Sequence, residues 1–119
     1  MTGALLIRWT GAVRGREDKA LEVYGRALAL YEGLAEAGQL AGHRDYMAIT
    51  GGGGGFVLVE GTVSELMALI ASPQHLRIRD EAAAILDGVD MQLFAGGTDT
   101  AAEAMVQAYA AGLADLGYL

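Results

Sequence analysis

Across 119 residues, 53% are hydrophobic and 19% charged, and the chain holds no cysteine. That suits one globular domain, too apolar for disorder and too short for two cores, and it excludes disulfides, thiolate chemistry and cysteine-ligated metals. A formal net charge of −7 argues against nucleic acid as a partner, because neutralising phosphates supplies most of that affinity.

Met1-Thr2-Gly3-Ala4-Leu5-Leu6-Ile7-Arg8 has no basic start and only a short apolar run, unlike a secretory signal. No stretch approaches the roughly 20 apolar residues that span a membrane. A cytoplasmic protein with no membrane contact is expected. Leu5 to Trp9 reads as a first strand, ended by Thr10-Gly11. Arg16 to Ala37 reads as a helix with Leu21, Tyr24, Leu28, Tyr31 and Leu34 on one stripe, closed by Gly38. The first 26 residues are mixed in charge: Arg8, Arg14, Arg16, Lys19 and Arg26 interleave with Glu17, Asp18 and Glu22, as on a solvated helix face.

Gly42 to Ile49 reads as a second strand and Phe56 to Glu60 as a third. Gly51 to Gly55 joins them as a hairpin loop. It is no phosphate cradle, since Phe56-Val57 stands where a P-loop needs lysine and serine or threonine. Thr62-Val63-Ser64-Glu65 is a capping box opening a helix with Leu66, Met67, Leu69 and Ile70. Ser72-Pro73 breaks that helix and caps another, which runs to about Asp87. Val89 to Phe94 is the fourth strand, and Gly96-Gly97 precedes a C-terminal helix capped by Thr98 or Asp99.

The order is β-α-β-β-α-β plus one helix, the ferredoxin-like α+β pattern with a four-stranded antiparallel sheet. Residues 1–97 form the domain, and 98–119 form a helix packed on that domain or on a partner. Leu5, Ile7, Trp9, Met47, Ile49, Val57, Val59, Val89, Met91 and Leu93 suit the sheet face that covers the helices. The other face carries Leu6, Ala48, Phe56, Leu58 and Phe94 among Arg8, Arg44, Tyr46, Glu60, Asp90 and Gln92. It is too apolar for water, and a second copy is its simplest cover, with Arg8, Arg44, Glu60 and Asp90 as interface ion pairs.

This element order, the strand Phe56–Glu60 with its capped helix, and the break at Ser72-Pro73-Gln74-His75 resemble the dimeric α+β barrel superfamily over about Gly3 to Gly96. The resemblance implies a homodimer with a pocket between sheet and helices in each subunit. Its members include small oxygenases, isomerases, dehydratases and haem-processing enzymes, so fold alone does not choose a function. Cofactor-free oxygenases and haem degraders of this fold often rely on asparagine, tryptophan and histidine. This chain has no asparagine, and its one tryptophan, Trp9, ends the first strand.

The pocket implied by the resemblance would be lined by Trp9, Tyr24, Tyr31, His43, Met47, Met67 and His75. Core packing, with each hydroxyl reaching the edge, is the better reading of Tyr24 and Tyr31 from the helix stripe alone. His43 and Asp45 share a strand face, about 7 Å apart along it, as a histidine steered by a carboxylate would be for general-base work. They equally suit a half-exposed pair at a strand end. His75 is the other candidate base. No metal site is expected, since the two histidines lack ligand spacing, and no cofactor. Three readings stand: a dimer binding a small apolar or aromatic molecule; a cofactor-independent oxygenase or isomerase using His43 or His75; and a non-catalytic assembly module.

Overall fold

The computed structural model describes all 119 residues. Strand β1 spans Thr2–Trp9, β2 Gly11–Ala12, helix α1 Glu17–Glu36, β3 Gly42–Met47, β4 Gly55–Thr62, α2 Val63–Ala71, α3 Pro73–Ile85, β5 Leu86–Asp87, β6 Asp90–Ala95 and α4 Asp99–Asp115. Four strands form one antiparallel sheet in the order β3-β4-β1-β6. This is the ferredoxin-like arrangement. No helix is long and apolar enough to cross a membrane.

The register follows from alternation along the strands. Leu5 pairs with Val59 on one side and Leu93 on the other, and Leu5 and Val59 are fully buried under the helices. Val23, Tyr31, Leu66, Leu69, Ile78 and Ile85 complete most of that core. The α2 start is a full capping box: the Thr62 hydroxyl accepts from the Glu65 amide at 3.0 Å, and the Thr62 amide donates to the Glu65 carboxylate at 2.8 Å. At the break, Ser72 is extended (φ −68°, ψ 144°), with Pro73 in the first turn of α3. Its hydroxyl donates to the Leu69 carbonyl at 2.7 Å and accepts from the His75 amide at 3.3 Å. One serine therefore closes α2 and opens α3. At the end of α1, Gly38 is left-handed (φ 75°). The amides of Gly38 and Gln39 reach back to the carbonyls of Ala35 and Leu34, a Schellman closure.

Three features depart from the expected pattern. The buried face of α1 is Val23, Ala27 and Tyr31, whereas Leu21 is 70% exposed. The helix presents smaller side chains to the sheet than its leucines suggest. Strand β3 stops at Met47 rather than Ile49, because Gly51 to Gly54 are all left-handed (φ 81°, 91°, 110° and 83°) and start the turn early. Ile49 is left 98% exposed. A two-stranded ladder, β2 with β5, also closes the end of the molecule.

Helices α1 and α3 pack side by side and are joined by an ion pair from Arg26 to Glu81, which also accepts from Arg77 at 3.0 Å. The Arg16 guanidinium donates to the Ala84 carbonyl at 2.6 Å. Helix α4 leaves the edge strand β6 through Gly96 and Gly97 and is capped by Thr98. Only Ala101 of this helix is buried.

On the outer sheet face Tyr46 stacks on Phe56 with ring centres 4.7 Å apart. Arg8 meets Asp90 at 3.2 Å and Arg44 meets Glu60 at 2.6 Å. Both ion pairs join neighbouring strands within the chain and remain exposed.

Candidate functional site

Between the sheet and helices α1 and α3 lies a cavity of about 350 Å³ lined by 19 residues, 16 of them hydrophobic. Ile7 and Trp9 of β1, Met47 of β3, Val57 of β4 and Met91 of β6 form its floor. Ala20, Leu21, Val23, Tyr24, Ala27 and Tyr31 of α1, with Ile78 and Ala82 of α3, form its roof. The space exists because small side chains sit where the layers face each other: Gly11, Ala12, Ala20, Ala27, Gly54 and Ala82 all border it. Close packing would normally fill such a gap.

Two aromatic rings dominate the wall. Trp9 and Tyr24 meet edge to face with centroids 6.0 Å apart, a favoured aromatic geometry. Burial and then the nearby Asp45 carboxylate raise the Tyr24 phenol above its ordinary range, so it stays neutral and can donate a hydrogen bond. The one ionisable carboxyl on the lining is Glu17. Backbone amides, its own and that of Gly15, hold it below the usual carboxylate range.

Tyr31 turns its ring to the cavity and its hydroxyl away from it. The hydroxyl lies 2.9 Å from His75 Nε2, and both side chains are buried, each 1% exposed. Burial, with a smaller contribution from Arg79, pushes His75 below the usual histidine range. The ring is therefore uncharged at neutral pH, and the phenol and Nε2 share one hydrogen bond. Burial and Asp45 raise the Tyr31 phenol strongly, so it keeps its proton.

His43 sits on the other side of Tyr31, with ring centres 6.0 Å apart. Its Nδ1 is 2.9 Å from Asp45 Oδ1 and its Nε2 is 3.6 Å from Glu32 Oε1, and its side chain is 11% exposed. Both ring nitrogens face carboxylates of the same chain, and neither faces the cavity.

Of the residues expected at the pocket, Trp9, Tyr24, Tyr31 and Met47 line the cavity. His43, Asp45 and His75 are absent from its lining. They stand beside and behind Tyr31, outside that lining. Met67 is 58% exposed and off the cavity wall. The small residues went unread in the sequence, although Ala20 and Ala27, seven apart on α1, carry the helical period that would have found them. No three histidine, aspartate or glutamate side chains gather to hold a metal ion.

No protein-family model matches the chain, and no curated protein sequence matches it. Solved structures do. A dimeric ferredoxin-like protein of unknown function from Jannaschia sp. CCS1 superposes with a TM-score of 0.62 at 17% identity, over 79% of this chain and 98% of that one. SnoaB, a cofactor-independent oxygenase from Streptomyces nogalater, gives a TM-score of 0.62 at 15% identity, over 82% and 94%. A hydroxynitrile lyase from Passiflora edulis gives 0.58 at 9% identity, over 82% and 95%. The chain shares the ferredoxin-like fold of these proteins. At these identities the likeness shows the fold alone, and an oxygenase and a lyase on one fold show that the reaction is not set by it.

Proposed function

We propose that the protein is a homodimer that binds a small, largely apolar, aromatic molecule between its sheet and helices. The carrying observation is the cavity: about 350 Å³, with 16 of 19 lining residues hydrophobic and Trp9 and Tyr24 on its wall. A concave, mostly apolar site with a few polar groups to fix orientation is the usual form of a small-molecule site. The Tyr24 phenol and the Trp9 indole N–H are such groups. The dimer reading is supported by the apolar outer sheet face, where Tyr46 and Phe94 are exposed, and by the dimeric Jannaschia protein of the same fold.

The test is titration with N-phenyl-1-naphthylamine, a neutral aromatic fluorophore, following energy transfer from the single tryptophan. Binding with transfer from Trp9 is expected. Ala20→Leu should fill the cavity and weaken binding at least tenfold, about 1.4 kcal/mol. No probe binding, or equal binding by the variant, would remove the cavity from consideration and leave the assembly-module reading.

A second reading, a cofactor-independent oxygenase or isomerase, has one observation in its favour. Asp45 holds His43 at 2.9 Å on strand β3, two residues from the cavity-lining Met47. His43 could act as a base only after its ring turns from Glu32 and Asp45 toward the cavity. Under this reading His43→Ala abolishes turnover of a bound aromatic; under the binding reading it leaves probe affinity unchanged and no turnover is found in either protein.

A further inference from the structure

Helix α4 carries an apolar stripe that the chain leaves largely exposed, with only Leu113 of it half-buried. Met105, Val106, Tyr109, Leu113 and Leu116 fall within an arc of about 100° on a helix of 3.6 residues per turn. Tyr109 is 69% exposed and Leu116 is 71% exposed. Ala101, the one buried residue, lies outside that arc, so the contact with the chain's own domain does not use the stripe. Most helical stability in proteins comes from packing an apolar face rather than from propensity, and this helix needs a surface for its stripe.

The dimensions say that this surface is not the chain's own. The radius of gyration is 16.6 Å, against roughly 13.5 Å for a compact chain of this length. The longest extent is 53 Å, twice the shortest, 26 Å.

We infer that α4 is an exchanged arm, packed through Met105, Val106, Tyr109, Leu113 and Leu116 on a second copy of this chain and extending the sheet-to-sheet contact. The inference rests on the dimer reading above. The area argues for it. Four strands about 4.8 Å apart and some six residues long present a face of roughly 380 Å², so two sheets alone cover only about 800 Å² in total. That falls below the ~1,200–2,000 Å² of stable, specific interfaces. Each α4, with 17 residues, is about 26 Å long and ~10 Å wide. Two exchanged arms bring the buried total to roughly 1,800 Å², inside the range of stable interfaces. The arms also start in the right place, since α4 leaves directly from β6, an edge of the face proposed to pair.

The experiment combines sedimentation velocity with hydrogen exchange on the full chain. In the wild type, amides of 99–115 should be slow to exchange when the protein is dimeric and fast once it is diluted to monomer. Tyr109→Glu should raise the dimer dissociation constant at least tenfold, while Ala104→Glu, on the opposite side of the helix, should leave it unchanged. If Phe94→Glu on the sheet face breaks the dimer but Tyr109→Glu does not, the arm is wrong and the dimer reading stands. If 99–115 is equally protected in monomer and dimer, the helix lies on its own domain and the arm is overturned. If the wild type is monomeric at every concentration, both readings fall together.

Discussion

Removing one hydroxyl behind the cavity wall, in Tyr31→Phe, should destabilise the protein out of proportion to the atom lost. The Tyr31 phenol is hydrogen-bonded to His75 Nε2 at 2.9 Å, and both side chains are 1% exposed. Phenylalanine fills the same space but leaves a buried imidazole nitrogen without its partner. An unsatisfied buried polar group costs about 1–3 kcal/mol, which for a chain of this size lowers Tm by roughly 4–12 °C. The pH dependence sharpens the test. His75 has its pKa lowered from 6.5 by burial and then by Arg79, so the folded ring resists a proton that the unfolded chain accepts. Its contribution is fully present above the unfolded pKa of about 6.5 and is lost as pH falls through the window below it, at up to about 1.4 kcal/mol per pH unit. With the phenol as donor the bond favours the neutral ring, and its removal then relaxes the His75 pKa upward and flattens this acid slope. Melting curves by circular dichroism, taken from pH 8 down to about 5, should show the variant well below the wild type at high pH and the two converging as pH falls. A Tm within ~1 °C of wild type, smaller than the effect of any lost buried bond, or parallel curves at every pH, would refute the account of this bond.

Two further substitutions probe the hairpin and the helix pair. Gly54→Ala places a methyl group 2.9 Å from Thr10 backbone atoms and in contact with the Trp9 carbonyl, at φ +83°. It should cost at least about 1–3 kcal/mol, read as a lower urea midpoint. Glu81→Gln removes a carboxylate whose pKa is lowered by hydrogen bonds from Arg26 and then Arg77. That contribution is present above the unfolded pKa of 4.5 and is lost as pH falls through the lower folded value. The variant should melt below the wild type at neutral pH and match it in acid.

The order of elements was legible because its punctuation is chemical. Thr62 with Glu65, Ser72 with Pro73, and Gly38 each mark a helix end through a specific backbone need, and the structure uses all three. Face assignments were legible where strands alternate, which put Trp9 and Met47 on the cavity side. The helix faces were harder. Counting large apolar residues favoured Leu21 on α1, but the layers approach through Ala20, Val23 and Ala27, and alanine carries too little hydropathy to compete in such a count. His75 was read as a pocket residue; it belongs instead to the face His75, Ile78, Ala82 and Ile85 that α3 buries, a helical period that was there to be read. The ladder of β2 with β5 is two residues long on each side, too short for any periodicity.

The cavity is bounded unequally, and this separates two properties of whatever enters it. On one side, α1 and α3 are locked by the buried Tyr31–His75 bond and the Arg26–Glu81 ion pair. On the other, the run Gly51 to Gly54, without a single side chain, bends over the Trp9 and Thr10 backbone beside the exposed Ile49. The stiff side fixes which molecular outlines fit, because tyrosine, histidine and their packed neighbours cannot yield without losing a buried bond. Under the binding function proposed above, the glycine side, which reaches the lining through Gly54, would resist little and so set how quickly a molecule passes in or out. Selectivity and residence time would then belong to different parts of the chain, and substitutions in one can be expected to leave the other nearly untouched.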